Sequence, residues 1–222
     1  LWQLSFLSRP ATNLQMCRKS LERLLDLFAE LLEERGALVI YGGPGTLRTR
    51  LALLACSRFS PCLYVGTGRH ARLEELPGGV VAVPATSFYD ELLGVIKASG
   101  LVRSGALRAV AVDELLANLA PYRASLSESV VARMLLTEIE VLRLLAERGG
   151  KVIIVCSEDP RTGGPLALRY LRRLKPRLLR TSVVEGVLTV EERDLADPLI
   201  VLWRGKVSTD EVESACARSR SS

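Results

Sequence analysis

The 222-residue chain is poor in several residue types at once. It has one histidine, two methionines and only 5% aromatic residues. Asparagine and glutamine occur just four times, at Gln3, Asn13, Gln15 and Asn118. Scarce thermolabile amides fit a heat-adapted source; a GC-rich genome would also favour the arginine bias described below. The five cysteines (Cys17, Cys56, Cys62, Cys156, Cys216) form no C-x-x-C. Zinc needs clustered Cys or His ligands, so a zinc module is excluded. The cysteines read as small buried hydrophobes in a reducing cytoplasm, with a Cys56–Cys62 bridge as the alternative. Long apolar runs are also missing. Val152–Cys156 falls far short of the roughly 20 residues of a membrane-spanning helix, so no membrane partner is expected. The start, Leu1-Trp2-Gln3, is soon polar and does not read as a secretory leader; the expectation is a cytoplasmic protein.

What is present is a core-forming composition. Hydrophobic residues make up 48% of the chain and charged residues 25%, which excludes disorder as the main state. Net charge is +5, and it rests on twenty-five arginines against five lysines. A mild basic excess permits anionic partners without requiring them.

The order of elements is informative. Ser20 to Glu34 has helical spacing, with Leu21, Leu24, Leu25, Phe28, Leu31 and Leu32 on one face. Ala37–Tyr41, Cys62–Val65, Val80–Val83, Arg108–Val112 and Lys151–Cys156 are short apolar runs of the kind that form strands buried on both faces. Helical stretches lie between them: Thr49–Arg58, a short Ala71–Leu76, Ser87–Ala98 with Phe88, Leu92, Val95 and Ile96 inward, and a long helix to about Arg148. Ser125 with Glu128 has capping-box spacing for the start of that helix. Such alternation predicts an α/β fold with a mostly parallel central sheet and helices on both faces. The end reads as an antiparallel β extension. Arg177–Val184 and Val187–Arg193 flank a Glu185-Gly186 turn, then Leu199–Trp203 forms a strand ended by an Arg204-Gly205-Lys206 turn. The expectation is one domain over 1–222, with 1–19 as an N-terminal extension and 205–222 as a tail.

The first strand runs into Gly42-Gly43-Pro44-Gly45-Thr46-Leu47-Arg48-Thr49. This approaches the phosphate-loop pattern G-x-x-x-x-G-K-[ST]. Gly42 and Thr49 fit; Leu47 stands where the second glycine belongs and Arg48 where the lysine belongs. Backbone N–H groups of such a loop cradle phosphates, and the following helix N-terminus favours negative charge. Gly42, Gly43, Gly45, Thr46, Arg48 and Thr49 are the candidate nucleotide contacts. A turn that only joins strand to helix is the plainer alternative. Ala109-Val110-Ala111-Val112-Asp113-Glu114 has the form of a Walker B strand. Asp113 and Thr49 would hold Mg²⁺, and Glu114 is the candidate base that polarises water.

These segments together resemble the RecA/RadA recombinase superfamily, in particular its short archaeal RadA paralogues of the RadB type. The resemblance spans roughly Ser20 to Trp203. It is carried by YGGPGTLRTRLALLA, CLYVGTGRHARLEEL, VVAVPATSFYDELLGVI, AVAVDEL and KVIIVCSEDP in that order. It implies a RecA-like P-loop core that takes ATP and Mg²⁺. The departures imply weak or lost hydrolysis. The family's acidic residue at the tip of the second strand is replaced by Gly66-Thr67-Gly68. Its polar amide after the fifth strand is replaced by Ser157 and Glu158, and no Phe-x-x-Ala polymerisation motif is present.

Basic residues concentrate between Arg161 and Arg180. The resemblance puts a DNA-contacting loop near Thr162-Gly163-Gly164, so Arg161, Arg169, Arg172, Arg173 and Lys175 are the candidate DNA contacts. Tyr170 is the one aromatic available there for base stacking. A solvated helix face is the alternative. Arg69 and His70 follow the second strand at the ligand-binding edge of such sheets. The functional expectation is an accessory factor in homologous recombination or DNA repair. It would bind single-stranded DNA, the main recombinase or another paralogue. An active Mg-ATPase using Asp113 and Glu114, and a catalytically dead interaction scaffold, are the alternatives.

Overall fold

The computed structural model describes residues 10–67 and 76–218. The elements are α1 (Pro10–Arg35), β1 (Ala37–Gly42), α2 (Arg48–Arg58), β2 (Cys62–Thr67), β3 (Val80–Ala85), α3 (Phe88–Arg103), β4 (Ala109–Asp113), α4 (Glu128–Glu147), β5 (Lys151–Ser157), the single turn α5 (Leu168–Leu171), β6 (Arg177–Val184), β7 (Val187–Arg193), β8 (Val201–Ser208) and α6 (Thr209–Arg218). One eight-stranded sheet has the order β3-β2-β4-β5-β1-β6-β7-β8. Pairing is parallel from β3 through β6. It turns antiparallel at β6–β7 and β7–β8.

The sheet is covered on both faces because its central strands are apolar throughout. All six residues of β1 are buried, and they alternate between two cores. Leu38 and Ile40 face α1 and α2, together with Phe28, Leu32 and Leu51. Val39 and Tyr41 face the side of α3 and α4, with Val95, Ile139 and Leu142. Period-two alternation along each strand supplies both layers. Helix α3 starts where the sequence supplies a cap: Ser87 Oγ accepts from Asp90 N, and Asp90 Oδ2 accepts from the Thr86 and Ser87 hydroxyls. These bonds hold the Asp90 carboxyl below its ordinary range. The β6–β7 turn has positive φ at both Glu185 and Gly186, the geometry a two-residue hairpin prefers.

Several expectations change. Ser125 and Glu128 make no capping box; Ser127 is the N-cap residue of α4, and Ser125 Oγ turns to the Tyr122 carbonyl. Ile96 is 48% exposed rather than inward. The last strand begins at Val201, and Arg204-Gly205-Lys206 lies within it instead of forming a turn. Residues 205–218 are therefore strand and helix, not a tail. Gly205 misleads because it looks like punctuation. A Cβ there would lie 2.2 Å from the Trp203 ring, so the glycine makes room for a tryptophan on the same face. Helix α1 starts at Pro10, inside the stretch read as an extension. Cys56, Cys62, Cys156 and Cys216 are buried free thiols, so Cys56 and Cys62 form no bridge. Arg69, His70, most of the Ala71–Leu76 helix and residues 219–222 lie outside the described residues.

Candidate functional site

The site lies at the carboxyl ends of the neighbouring strands β4, β5 and β1, where ligands bind in open parallel sheets. Gly42 ends β1 in register with Ser157 of β5 and Thr181 of β6. A Cβ on Gly42 would sit 2.3 Å from the Thr181 carbonyl oxygen, so only glycine lets these backbones approach. The loop is tied from within. The Thr46 hydroxyl donates to the Gly43 carbonyl at 2.8 Å, and Thr181 Oγ1 lies 2.9 Å from Thr46 Oγ1. Around Gly43 and Gly45, by contrast, a Cβ would meet nothing within 4 Å: the loop's outer face is open.

Leu47 takes a left-handed conformation (φ 58, ψ 20) at the position where the pattern asks for glycine. A Cβ there costs roughly 1–2 kcal/mol. Its partly buried side chain packs against the core cluster that includes Leu51 and Leu54 of α2. As N-cap of α2, Leu47 supplies no side-chain acceptor, so that cap does not occupy the first-turn amides.

Behind the loop, two polar groups converge. Thr49 Oγ1 donates to Asp113 Oδ2 at 2.7 Å, and the Tyr64 hydroxyl donates to the same oxygen at 2.5 Å. Asp113 is 2% exposed and Tyr64 fully buried. Burial, reinforced by the facing Asp113 carboxylate, pushes the Tyr64 hydroxyl well above its ordinary pKa, so it stays a donor. Thr49 and Asp113 are adjacent hard oxygen donors of the kind Mg²⁺ takes, and the open loop beside them suits the phosphates such an ion would accompany. The second group centres on Arg48. Its Nη1 donates to the Cys156 carbonyl at 2.5 Å and lies 3.4 Å from both Glu114 Oε1 and Ser157 Oγ. Ser157 Oγ in turn donates to Glu114 Oε1. The candidate base is thus engaged by a cation and a hydroxyl.

All the loop residues named from sequence, with Asp113 and Glu114, fall in this one region. Tyr64 and Thr181 were missed. The available signal for Tyr64 was a tyrosine in a fully apolar strand, whose hydroxyl needs a buried partner. Gly66 follows from it: a Cβ there would stand 2.6 Å from the Tyr64 ring.

The arginine-rich segment is distributed differently. Arg173 pairs with Glu140 at 2.8 Å, and Arg169 lies 3.6 Å from Glu128 while stacking on Tyr170 at 4.5 Å. Arg172 donates to the Leu195 and Ala196 carbonyls. Arg177 pairs with Glu34 and Glu192, and Arg180 with Glu158. Among the described residues, Arg161 and Lys175 make no ion pair. The Thr162-Gly163-Gly164 stretch is a turn closed by Gly163 N to Asp159 O and Asp159 N to Gly164 O, each 2.8 Å. Tyr170 and Arg123 border a cavity of about 350 Å³ with Leu116, Leu119, Leu126 and Leu135. Among the described residues no three His, Cys, Asp or Glu side chains are grouped to hold a metal, and no helix is long and apolar enough to cross a membrane. No protein-family model and no curated protein matches the chain.

Proposed function

We propose that the chain is a RecA/RadA-like recombinase paralogue: an accessory factor in homologous recombination or DNA repair that binds Mg-nucleotide with weak or lost hydrolysis. The observation that carries this reading is the split between Thr49 and Arg48. Thr49 stays beside Asp113, 2.7 Å away, as a Mg²⁺ site requires. Arg48 turns into the Cys156 carbonyl and neutralises Glu114, the one candidate base. The Glu114 oxygen that would meet an attacking water is already engaged by a guanidinium and a hydroxyl. When bound, Mg²⁺ would draw charge from the phosphates; Thr49 and Asp113 would hold it, and the Gly43–Gly45 backbone would face them. Calorimetry with Mg-ATP is expected to show binding, with turnover near background. Absence of binding at millimolar nucleotide overturns the reading.

An active Mg-ATPase is the second reading, favoured by the same Thr49–Asp113 contact. It requires measurable Mg²⁺-dependent turnover that Glu114→Gln abolishes.

DNA contact falls on the cations whose side chains neither internal carboxylates nor, as at Arg172, backbone carbonyls engage. Arg161 and Lys175 are exposed, whereas Arg173 is committed to Glu140. Single-stranded DNA affinity of an Arg161→Glu, Lys175→Glu variant is expected to fall. Its log–log salt dependence should flatten by about 1.4 for two lost phosphate contacts. An unchanged slope removes these two residues from the interface. A pull-down with the main recombinase tests the protein-partner arm.

A further inference from the structure

On the α3–α4 side of the sheet two carboxyl groups meet with no base beside them. Glu91 of α3 is 2% exposed and Glu138 of α4 is fully buried. The Asn118 amide, from the turn at Ala117–Leu119, donates to Glu91 Oε2 at 2.5 Å. Glu91 Oε1 and both Glu138 oxygens reach no N–H or hydroxyl donor. The two side chains are nevertheless within hydrogen-bonding contact of each other. Two carboxylates have no hydrogen to share, and two unpaired buried charges are prohibitively costly. A carboxylic acid and a carboxylate have one hydrogen, and it joins one oxygen of each, leaving only the second Glu138 oxygen without a donor.

A bound cation is the other way to neutralise the pair. The Asn118 amide opposes it, because the amide presents N–H to Glu91 where a cation would call for an oxygen. No third His, Cys, Asp or Glu joins the pair among the described residues.

We infer that Glu91, Glu138 and Asn118 form a proton-operated latch. Glu138 carries a proton at neutral pH and donates it to Glu91, and losing it as pH rises loosens the turn that holds Asn118. That turn begins three residues past Glu114 in the chain.

The other charged groups of the packed elements point elsewhere. Asp90 of α3 faces Thr86 and Ser87, and Glu140 of α4 faces Arg143 and Arg173. Arg123 of the following turn is exposed, and Asp113 of β4 faces Thr49 and Tyr64. Among the described residues, no Lys, Arg or His bears on either carboxyl. Burial raises both groups: Glu91 up to about 7, against the pull of Glu138 and Asn118, and Glu138 well above its ordinary range, helped by the Glu91 charge. Raised folded-state values give stability that is complete in acid. It is lost as pH climbs through about 7 and beyond.

Urea denaturation of the wild type and Glu138→Gln, from about pH 5 to about pH 9, tests the latch. Glutamine supplies a permanent N–H in place of the shared proton. From pH 6 to pH 9 the wild-type folding constant is expected to fall at least about tenfold more than the variant's. Parallel profiles overturn the proposal. Should Glu138→Gln not fold, infrared spectra of the wild type decide: a buried carboxylic-acid band at pH 7 must be present and must fade as pH rises. Its absence overturns the proposal. Selective stabilisation of the wild type by millimolar MgCl₂ or CaCl₂ at pH 8 also overturns it, in favour of a cation.

Discussion

A Gly42→Val variant is expected to lose about 3–5 kcal/mol of folding stability, a large part of the roughly 5–15 kcal/mol a domain has. The first added atom would lie 2.3 Å from the Thr181 carbonyl oxygen and 2.6 Å from its Oγ1. Neither can step aside cheaply, because the carbonyl is backbone of β6 and Gly42 is paired to that strand in register. Overpacking between bonded strands forces the backbones apart. Gly43→Ala, one position along, meets open space and is expected to change stability by less than about 0.5 kcal/mol. Urea midpoints measure both. Equal effects at 42 and 43 would show that loop flexibility, not strand contact, demands the glycines.

The second large effect is expected at Asp113. Asp113→Ala strips the acceptor from the Tyr64 hydroxyl, which is fully buried. Leaving such a donor unsatisfied costs about 1–3 kcal/mol. The Thr49 hydroxyl is deprived of the same acceptor, which adds to that cost. The same substitution should abolish any Mg²⁺-dependent nucleotide binding. A Tyr64→Phe background removes the orphaned hydroxyl. Asp113→Ala should then cost about 1–2 kcal/mol less than in the wild type. Additive effects in that double-mutant cycle would mean that Tyr64 and Asp113 are not coupled.

Much of the sheet could be read directly. Runs such as Ala37–Tyr41 and Lys151–Cys156 are apolar at nearly every position, which a strand buried on both faces tolerates and an amphipathic helix does not. Glu185-Gly186 announced its hairpin for a similar reason: both positions adopt positive φ there. β8 was harder. Its burial is mixed, it lies at the sheet's edge, and Gly205 mimics a turn. The loop's location followed from residue order, but not the direction of the Arg48 side chain. Rotamers depend on what the neighbouring strands offer, here the Cys156 carbonyl and Glu114. The crowding of basic residues in 161–180 was plain, while their acidic partners Glu34 and Glu140 lie on other elements, distant in sequence. Glu138 did leave a trace: it falls at helical spacing among Leu135, Ile139 and Leu142, a charge on an otherwise apolar stripe.

Tyr64 and Gly66 bear on the history of the site as well as on its shape. The ring that reaches Asp113 occupies the space in which a side chain at 66 would begin. Any side chain at 66 and a tyrosine two positions earlier are therefore rival tenants of one volume. A lineage can hold either arrangement, but passing between them through single changes crosses a clash in one order and takes one of two hydroxyl donors from Asp113 in the other. Positions 64 and 66 should covary, because packing ties the residue tolerated at one to the residue held at the other.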